Sequence, residues 1–395
     1  MSNSSEVLAA FPENARAEVS YSPEEQVFQR TLGVTWNATL DVFSINVNVK
    51  ERMFTKRGVL SFINGLYDPL GFVCSVILEG KLFQRRILPP KGRNPTEIAS
   101  SQLMERYGWD DPLPEEMLKP WNEWKSSLED LKSFTVPRCF VPHADEWQQE
   151  LHVFCDASLD AVGWVVYLRS VSPSQEVHVA FVTACSRVAP HAASTVPRLE
   201  LCAAVGAALC AAKVMMELLK KLQSCFYYSD SKIVLGYLTN ETKRLVKYIE
   251  RRVSVIKNTS RSGDWYYVES ACNPADMASR PQRPAELMQS CWVQGPPFLW
   301  NVTIHRNEEE EIQEELPEEV KTDTVLACQI QQGICFELCR DFSYLHKILR
   351  IICLISKMFN VADYCRQKLG YSLAPRNPCP TQRESRQIAV RTPQR

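Results

Sequence analysis

The order of elements written into residues 148–281 constrains the fold more than any other feature. Leu151–Asp156, Ala161–Leu168 and Val177–Arg187 read as three successive strands, with turn residues at Asp160-Ala161 and Pro173-Ser174. A long Ala-rich helix follows Pro197. Cys225–Ser229 then reads as a short strand, Ser231–Leu238 as a short helix, and Lys243–Asn258 as a basic amphipathic helix. The apolar face of that last helix carries Leu245, Tyr248, Ile249, Val253 and Ile256. Trp265–Val268 is a fifth strand, and Pro274–Ser279 opens a closing helix. The order β-β-β-α-β-α-α-β-α predicts an α/β fold, a mixed five-stranded sheet flanked by helices.

Four acids punctuate this pattern. Asp156 ends the apolar strand Val153-Phe154-Cys155-Asp156, although Asp is depleted in strands and costly to bury unpaired. Glu200 falls in the first turn of the Ala-rich helix, Asp230 ends the fourth strand, and Asp276 follows Asn273-Pro274-Ala275 at a helix start. Each alone has an ordinary explanation: a strand-end turn former, an acid favoured by the helix dipole, an N-cap, and support of a first turn. Together they say more. Two end adjacent strand candidates and two open helices that can cover the same edge. Carboxylates so gathered repel one another unless a cation neutralises them. Mg²⁺ or Mn²⁺ suits such oxygen donors, and two ions can serve phosphodiester hydrolysis with no nucleophilic Ser or Cys.

A net charge of −1 requires any nucleic-acid contact to come from a local patch. Lys243, Arg244, Lys247, Arg251, Arg252, Lys257 and Arg261 crowd one segment, and the first five are the candidate backbone contacts. A solvated helix face is the alternative reading of the same residues.

Elsewhere the pattern is looser. Residues 1–30 are polar and weakly patterned, and residues 31–49 alternate as two strands. Residues 57–88 read as helix broken at Tyr67-Asp68-Pro69-Leu70-Gly71. Residues 97–132 carry two amphipathic helices around Asp110-Asp111-Pro112, and Pro137 to Pro142 reads as a linker. Glu308–Glu311 and Glu314–Glu315 form an acidic stretch, residues 342–359 an apolar helix, and the Pro-, Arg- and Gln-rich end a disordered tail. The chain has 15 cysteines, an odd number with no C-x-x-C pair, which argues for reduced thiols inside the cell, in cytoplasm or nucleus. Cys328, Cys335, Cys339 and His346 come nearest to a metal cluster, but Cys335 and Cys339 read as apolar helix positions. No run reads as a membrane span and no secretory signal is visible.

The motifs themselves resemble a known family. Val153-Phe154-Cys155-Asp156-Ala157-Ser158, Val196-Pro197-Arg198-Leu199-Glu200-Leu201, Tyr228-Ser229-Asp230-Ser231 and Asn273-Pro274-Ala275-Asp276-Met277-Ala278-Ser279-Arg280 resemble, in order and spacing, the RNase H of BEL/Pao-type LTR retrotransposon polyproteins. Leu32-Gly33-Val34-Thr35-Trp36, Tyr67-Asp68-Pro69-Leu70-Gly71-Phe72 and Trp109-Asp110-Asp111-Pro112 are similar to its reverse-transcriptase thumb and connection region. The resemblance implies a mainly helical thumb/connection-like region at 1–147, an RNase H-like domain at 148–281, a post-RNase H segment at 282–373 and a tail at 374–395. It further implies Asp156, Glu200 and Asp230 as core metal ligands, Asp276 as the fourth, and an RNA–DNA hybrid as substrate. No Tyr-x-Asp-Asp, Asp-Thr-Gly or Asp-Ser-Gly occurs, so the same resemblance implies neither polymerase palm nor protease here. Pro281 stands where the family has Gly, and 268–272 contains no His. Two functions fit these residues: a metal-dependent hybrid ribonuclease, or an inactive retroelement remnant that binds nucleic acid or packs as a structural domain.

Overall fold

A computed structural model describes residues 28–31, 34–37, 40–47, 49–88, 104–140, 147–189, 195–218, 222, 224–304 and 316–317. All lie in one compact unit, Met1–Lys321. The acidic stretch, the cluster of Cys328, Cys335, Cys339 and His346, the helix expected at 342–359 and the tail expected at 374–395 lie outside the described residues.

The chain begins with β1 (Phe28–Thr31), β2 (Val34–Asn37) and β3 (Val42–Ile45), which form an antiparallel sheet completed by β4 (Thr135–Pro137), in the order β1-β2-β3-β4. Two of these strands are legible as alternation in the sequence. The others, three and four residues long, fall in stretches read as unpatterned chain and at the edge of the Pro137 linker. At that length pairing, not periodicity, makes the strand.

Helix α1 (Lys56–Gly65) starts at Thr55, whose hydroxyl accepts from the Gly58 amide at 3.0 Å. Helix α2 (Cys74–Ile87) follows the Asp68–Gly71 turn. There the Asp68 carboxylate accepts from the amides of Phe72 and Val73, both at 2.9 Å, and Gly71 has φ +76°, where a side chain is strained. Helix α3 (Leu118–Ser127) places Trp121 and Trp124 against Phe62 and Phe83, and the Trp124 indole donates to the Val76 carbonyl at 3.0 Å. Of the helices expected over 97–132, residues 97–103 lie outside the described residues, and 3₁₀ turns at Glu115–Met117 and Leu128–Ser133 bracket α3.

The central sheet follows the expected order: β5 (Gln148–Ala157), β6 (Ala161–Val171), β7 (Val177–Val188), α4 (Val196–Glu217), β8 (Ser224–Ser229), α5 (Lys232–Thr239), α6 (Lys247–Thr259), β9 (Trp265–Tyr267) and α7 (Ala275–Ser279), with α8 (Pro284–Gln289) behind it. The five strands lie in the order β7-β6-β5-β8-β9. β5, β6 and β7 form an antiparallel meander, and β8 and β9 join parallel to β5. This is the RNase H-like mixed sheet.

Both sheet faces are buried. Leu151, Val153, Cys155, Val166 and Leu168 meet α4 and α6 on one face. Phe154, Val165, Tyr167 and Phe181 on the other share a core with Phe72, Val73, Trp292 and Leu299. That second core runs without a break from residues 49–137 into the sheet. The edge strand β7 also receives the Asp68–Gly71 turn: Ala184 N and Thr183 Oγ1 donate to the Leu70 carbonyl at 2.9 and 3.0 Å.

One helix boundary read from the sequence needs correction. Residues 243–246 are not helical, because the Asn240 side chain bonds both the amide and the carbonyl of Lys243 (2.9 and 2.7 Å) and makes a turn there; the basic helix is α6, from Lys247. Helix α4 is long and apolar, but Arg198, Glu200 and Lys213 interrupt it, so it is not a long uncharged run. Its Leu199, Leu201, Ala203, Ala204, Ala207, Ala208 and Ala211 are buried, and it packs on the sheet.

Candidate active site

The register of β5 and β8 sets the first pair of acids. Cys155 lies opposite Ser229 in a parallel ladder, so the next residues, Asp156 and Asp230, leave adjacent strands side by side. Glu200 enters from the fifth residue of α4, just past the first turn where the sequence reading put it, because the helix opens at Val196 after Thr195 rather than at Pro197. Asp276 enters from the first turn of α7.

Helix α7 is fixed to the strand ends by several contacts. Asn273 accepts from Ala275 N and donates through Nδ2 to the Cys155 carbonyl, both at 3.1 Å, so the residue just before Pro274, where α7 is capped, also grips β5 beside Asp156. Ser186 and Ser158 donate to the carbonyls of Ala278 and Ser279 at 2.6 and 2.8 Å. Gly163, paired with Asp156 across β5 and β6, lets the α7 backbone lie directly on β6; a Cβ there would sit 2.5 Å from the Ala278 carbonyl carbon.

Each acid is held by a neighbour. Ser279 Oγ donates to Asp156, and Ser231 Oγ to Glu200 Oε2 at 2.5 Å. Ser270 Oγ donates to Asp230 Oδ2 at 2.5 Å, and Arg280 Nε lies 2.7 Å from Asp276 Oδ1. Ser231 also caps α5 by accepting from Val234 N at 3.2 Å, which ties the Glu200 contact to a helix start. Ser231 and Ser279 stand inside the motifs and Ser270 just before the last one, yet all three are invisible as partners in the sequence, because the pairs span 31 to 123 residues. Gly163 was signalled: a glycine within an apolar strand often marks close backbone approach.

The electrostatics follow from crowding and burial. Asp156 is only 7% exposed, and burial pushes its carboxyl up to about 6, opposed by the Ser279 hydrogen bond and reinforced by Asp230 and Asp276. Burial likewise raises Glu200, opposed by Ser231 and reinforced by Asp230 and Asp156. The acids therefore sense one another's charge. Oxygen Oδ1 of Asp230 is buried without a hydrogen-bond partner, as an atom reserved for another ligand would be. An all-carboxylate donor set with such an orphan oxygen fits a hard divalent cation. Among the described residues, however, no three His, Cys, Asp or Glu side chains converge closely enough to hold one ion. The carboxylates point to their serine and arginine partners instead, and ligation requires them to turn.

The candidate nucleic-acid contacts divide. Lys247 and Arg251 are exposed, one helical turn apart on α6, and Arg244 is exposed just before it. Lys243 is half-buried in the Asn240 turn. Arg252 is half-buried as well, its guanidinium 3.5 Å from the Tyr248 ring centroid and its Nη1 donating to the Tyr248 carbonyl at 3.1 Å.

Residues 55–231 match the model of the Pao retrotransposon-like RNaseH-like domain family. Over those residues the chain is similar to that family's domain. The match spans the 147/148 boundary expected from sequence and ends just past Asp230, leaving Asp276 outside it. No curated protein matches the chain. Among solved structures, RNase H1 of Halobacterium salinarum NRC-1 is 16% identical, with 33% of this chain and 93% of that one covered and a TM-score of 0.22. The N-terminal RNase H domain of a Mycobacterium tuberculosis protein, solved as a maltose-binding-protein fusion, is 12% identical, with 36% and 98% covered and a TM-score of 0.25. The foamy viral protease–reverse transcriptase in complex with dsDNA is 15% identical, with 61% of this chain but only 44% of that one covered and a TM-score of 0.20. The RNase H-like assignment of the Pao-like domain accordingly rests on its strand order, its register and the family match.

Proposed function

We propose that the Pao-like domain is a nuclease that hydrolyses the RNA strand of RNA–DNA hybrids with two divalent cations, Mg²⁺ or Mn²⁺. The observation that carries this reading is the meeting of Asp156 and Asp230 at the ends of β5 and β8, with Glu200 and Asp276 delivered from near the starts of two helices. In this reading Asp156, Glu200 and Asp230 are the core ligands and Asp276 the outermost. When bound, the cations supply an activated water and charge stabilisation at the leaving oxygen. The chain supplies the rest. Ser279, Ser231 and Ser270 hold the carboxylates at the site before metal arrives, and Lys243, Arg244, Lys247, Arg251 and Arg252 attract the phosphate backbone.

The experiment is cleavage of a strand-labelled RNA–DNA hybrid by the purified chain with Mg²⁺, with Mn²⁺ and with EDTA. Cleavage of the RNA strand only when metal is added supports the reading. A folded chain that binds the hybrid and never cuts it establishes the second reading, an inactive retroelement remnant acting as a nucleic-acid-binding or structural domain. The absence of three converged ligand side chains among the described residues favours that alternative.

A further inference from the structure

Helix α7 carries Asp276 and Ser279, yet at five residues it is too short to fix its own position. Two of its clamps, Ser158 and Asn273, belong to the acid motifs themselves. The third, Ser186, does not. It lies buried on β7, in one cross-strand row with Gly163 and Asp156. Helix α7 lies across that row. At one end Ser186 Oγ donates to the Ala278 carbonyl at 2.6 Å, and at the other Ser279 Oγ donates to Asp156. Between them Gly163 leaves room for the helix backbone.

Ser186 is itself held from α2. Lys81 Nζ donates to its carbonyl at 3.3 Å, and Cys74 Sγ lies 3.2 Å from its hydroxyl oxygen. A hydroxyl has one proton, and a carbonyl can only accept. The Ser186 proton therefore goes to Ala278, and the Cys74 thiol donates to the Ser186 oxygen. Burial pushes that thiol up and keeps it protonated. A second tie lies just past α7, where the Gln282 amide donates to the Ser75 carbonyl of α2 at 3.3 Å. Ligation requires the carboxylates to turn from their serine and arginine partners, so the backbone beneath them must hold still while the side chains move. We propose that Ser186, set from α2 by Cys74 and Lys81, is a positioning residue for the candidate metal site: by holding α7 it fixes where Asp276 and Ser279 stand against Asp156, and so sets the affinity for a divalent cation. The inference rests on the metal-site reading above and extends it to α2, outside the acid motifs.

The test is Mn²⁺ binding to the full chain, read from the electron paramagnetic resonance signal of the free ion, for wild type, Ser186→Ala, Cys74→Ala, Cys74→Ser and the double variant Ser186→Ala with Cys74→Ala. Ser186→Ala is expected to weaken binding about tenfold, as loss of a group that orients metal ligands does. Cys74→Ala is expected to weaken it about threefold, and Cys74→Ser, which keeps a donor, to recover most of that loss. Because Cys74 acts through Ser186, the double variant is expected to match Ser186→Ala alone. Thermal unfolding without metal, with binding measured well below every midpoint, separates moved ligands from lost fold. A residue that only supports the fold leaves the affinity of the folded chain unchanged. Wild-type affinity in folded Ser186→Ala overturns the proposal, and independent losses in the double variant overturn the relay from Cys74. If Ser186→Ala does not fold, wild-type affinity in folded Cys74→Ala overturns it instead. In each case the nuclease reading stands if the wild type binds Mn²⁺ and cleaves. A folded wild type that binds no Mn²⁺ overturns both.

Discussion

At Asp156 burial and charge oppose each other. The strand that carries it is apolar throughout, and its carboxyl, pushed up to about 6, is held by Ser279. Asparagine keeps the shape and the acceptor oxygen but removes the charge. Asp156→Asn is therefore expected to abolish metal-dependent cleavage, by about 10³-fold or more. It is also expected to leave hybrid binding intact and to raise the metal-free unfolding midpoint by about 2–4 °C. Single-turnover cleavage and a thermal melt check the two halves separately; a lower midpoint contradicts the account of opposed burial and charge. Gly163 offers a second residue-scale test. A Cβ there collides with the α7 backbone, which is clamped by Ser158, Ser186 and Asn273 and has little room to retreat. Gly163→Ala is expected to destabilise the fold by about 1–3 kcal/mol, measured by urea unfolding, and a neutral result means α7 is more loosely seated than its hydrogen bonds indicate. The acids were legible in the sequence because an aspartate at the end of an apolar strand breaks the rules of its element. Their serine partners were not, because hydroxyls break no rule and their acids lie far away along the chain.

Among the elements, α6 separates charge from packing. Ile249, Val253 and Ile256 are buried, while Lys247 and Arg251 face solvent. Reversing both exposed charges, as Lys247→Glu with Arg251→Glu, is expected to weaken hybrid binding and lower its salt slope by about 2, with the far-ultraviolet spectrum and melting midpoint little changed. An unchanged slope returns these two residues to the role of a solvated face. Reversal of Arg252 should differ, because it also breaks the stack on Tyr248 and so should lower the midpoint. The central sheet was legible because β5, β6 and β7 are long, largely apolar runs bounded by turn residues, and because α4 is long and rich in Ala. The start of α6 was misread because Leu245 continues the helical spacing, whereas the Asn240 side chain closes a turn that no apolar pattern reports. The short strands β1 and β4 were missed because their identity lies in their partners across the sheet.

On the scale of the whole unit, the region before the sheet and the sheet itself are joined through one turn. Asp68 closes the turn before α2, Gly71 takes the conformation that lets the chain lie on β7, and the Leu70 carbonyl bonds the edge strand. Phe72 then enters the core beside Phe181 and its carbonyl accepts from the Trp292 indole at 2.7 Å. The Asp68 carboxyl is half-buried in this joint, and its loss of hydration pushes it up to about 6, only partly offset by the amides of Val73, Phe72 and Gly71 and by Lys81. The sign of the consequence is fixed. With the folded value above the unfolded one, the native state binds more protons than the unfolded chain between about pH 4 and 6, so this group's contribution to stability is full below pH 4 and is lost as the pH rises to about 6. In Asp68→Asn that dependence disappears, although the amide makes a poorer cap. The stability of wild type minus that of the variant is therefore expected to fall as pH rises from about 4 to 6, on the order of 1–3 kcal/mol, and to stay level above it. Urea unfolding of both chains at half-unit pH steps measures the difference directly. Parallel curves across that range would mean that the carboxylate is solvated in the joint, and that the turn is seated on β7 by Leu70 and Gly71 alone.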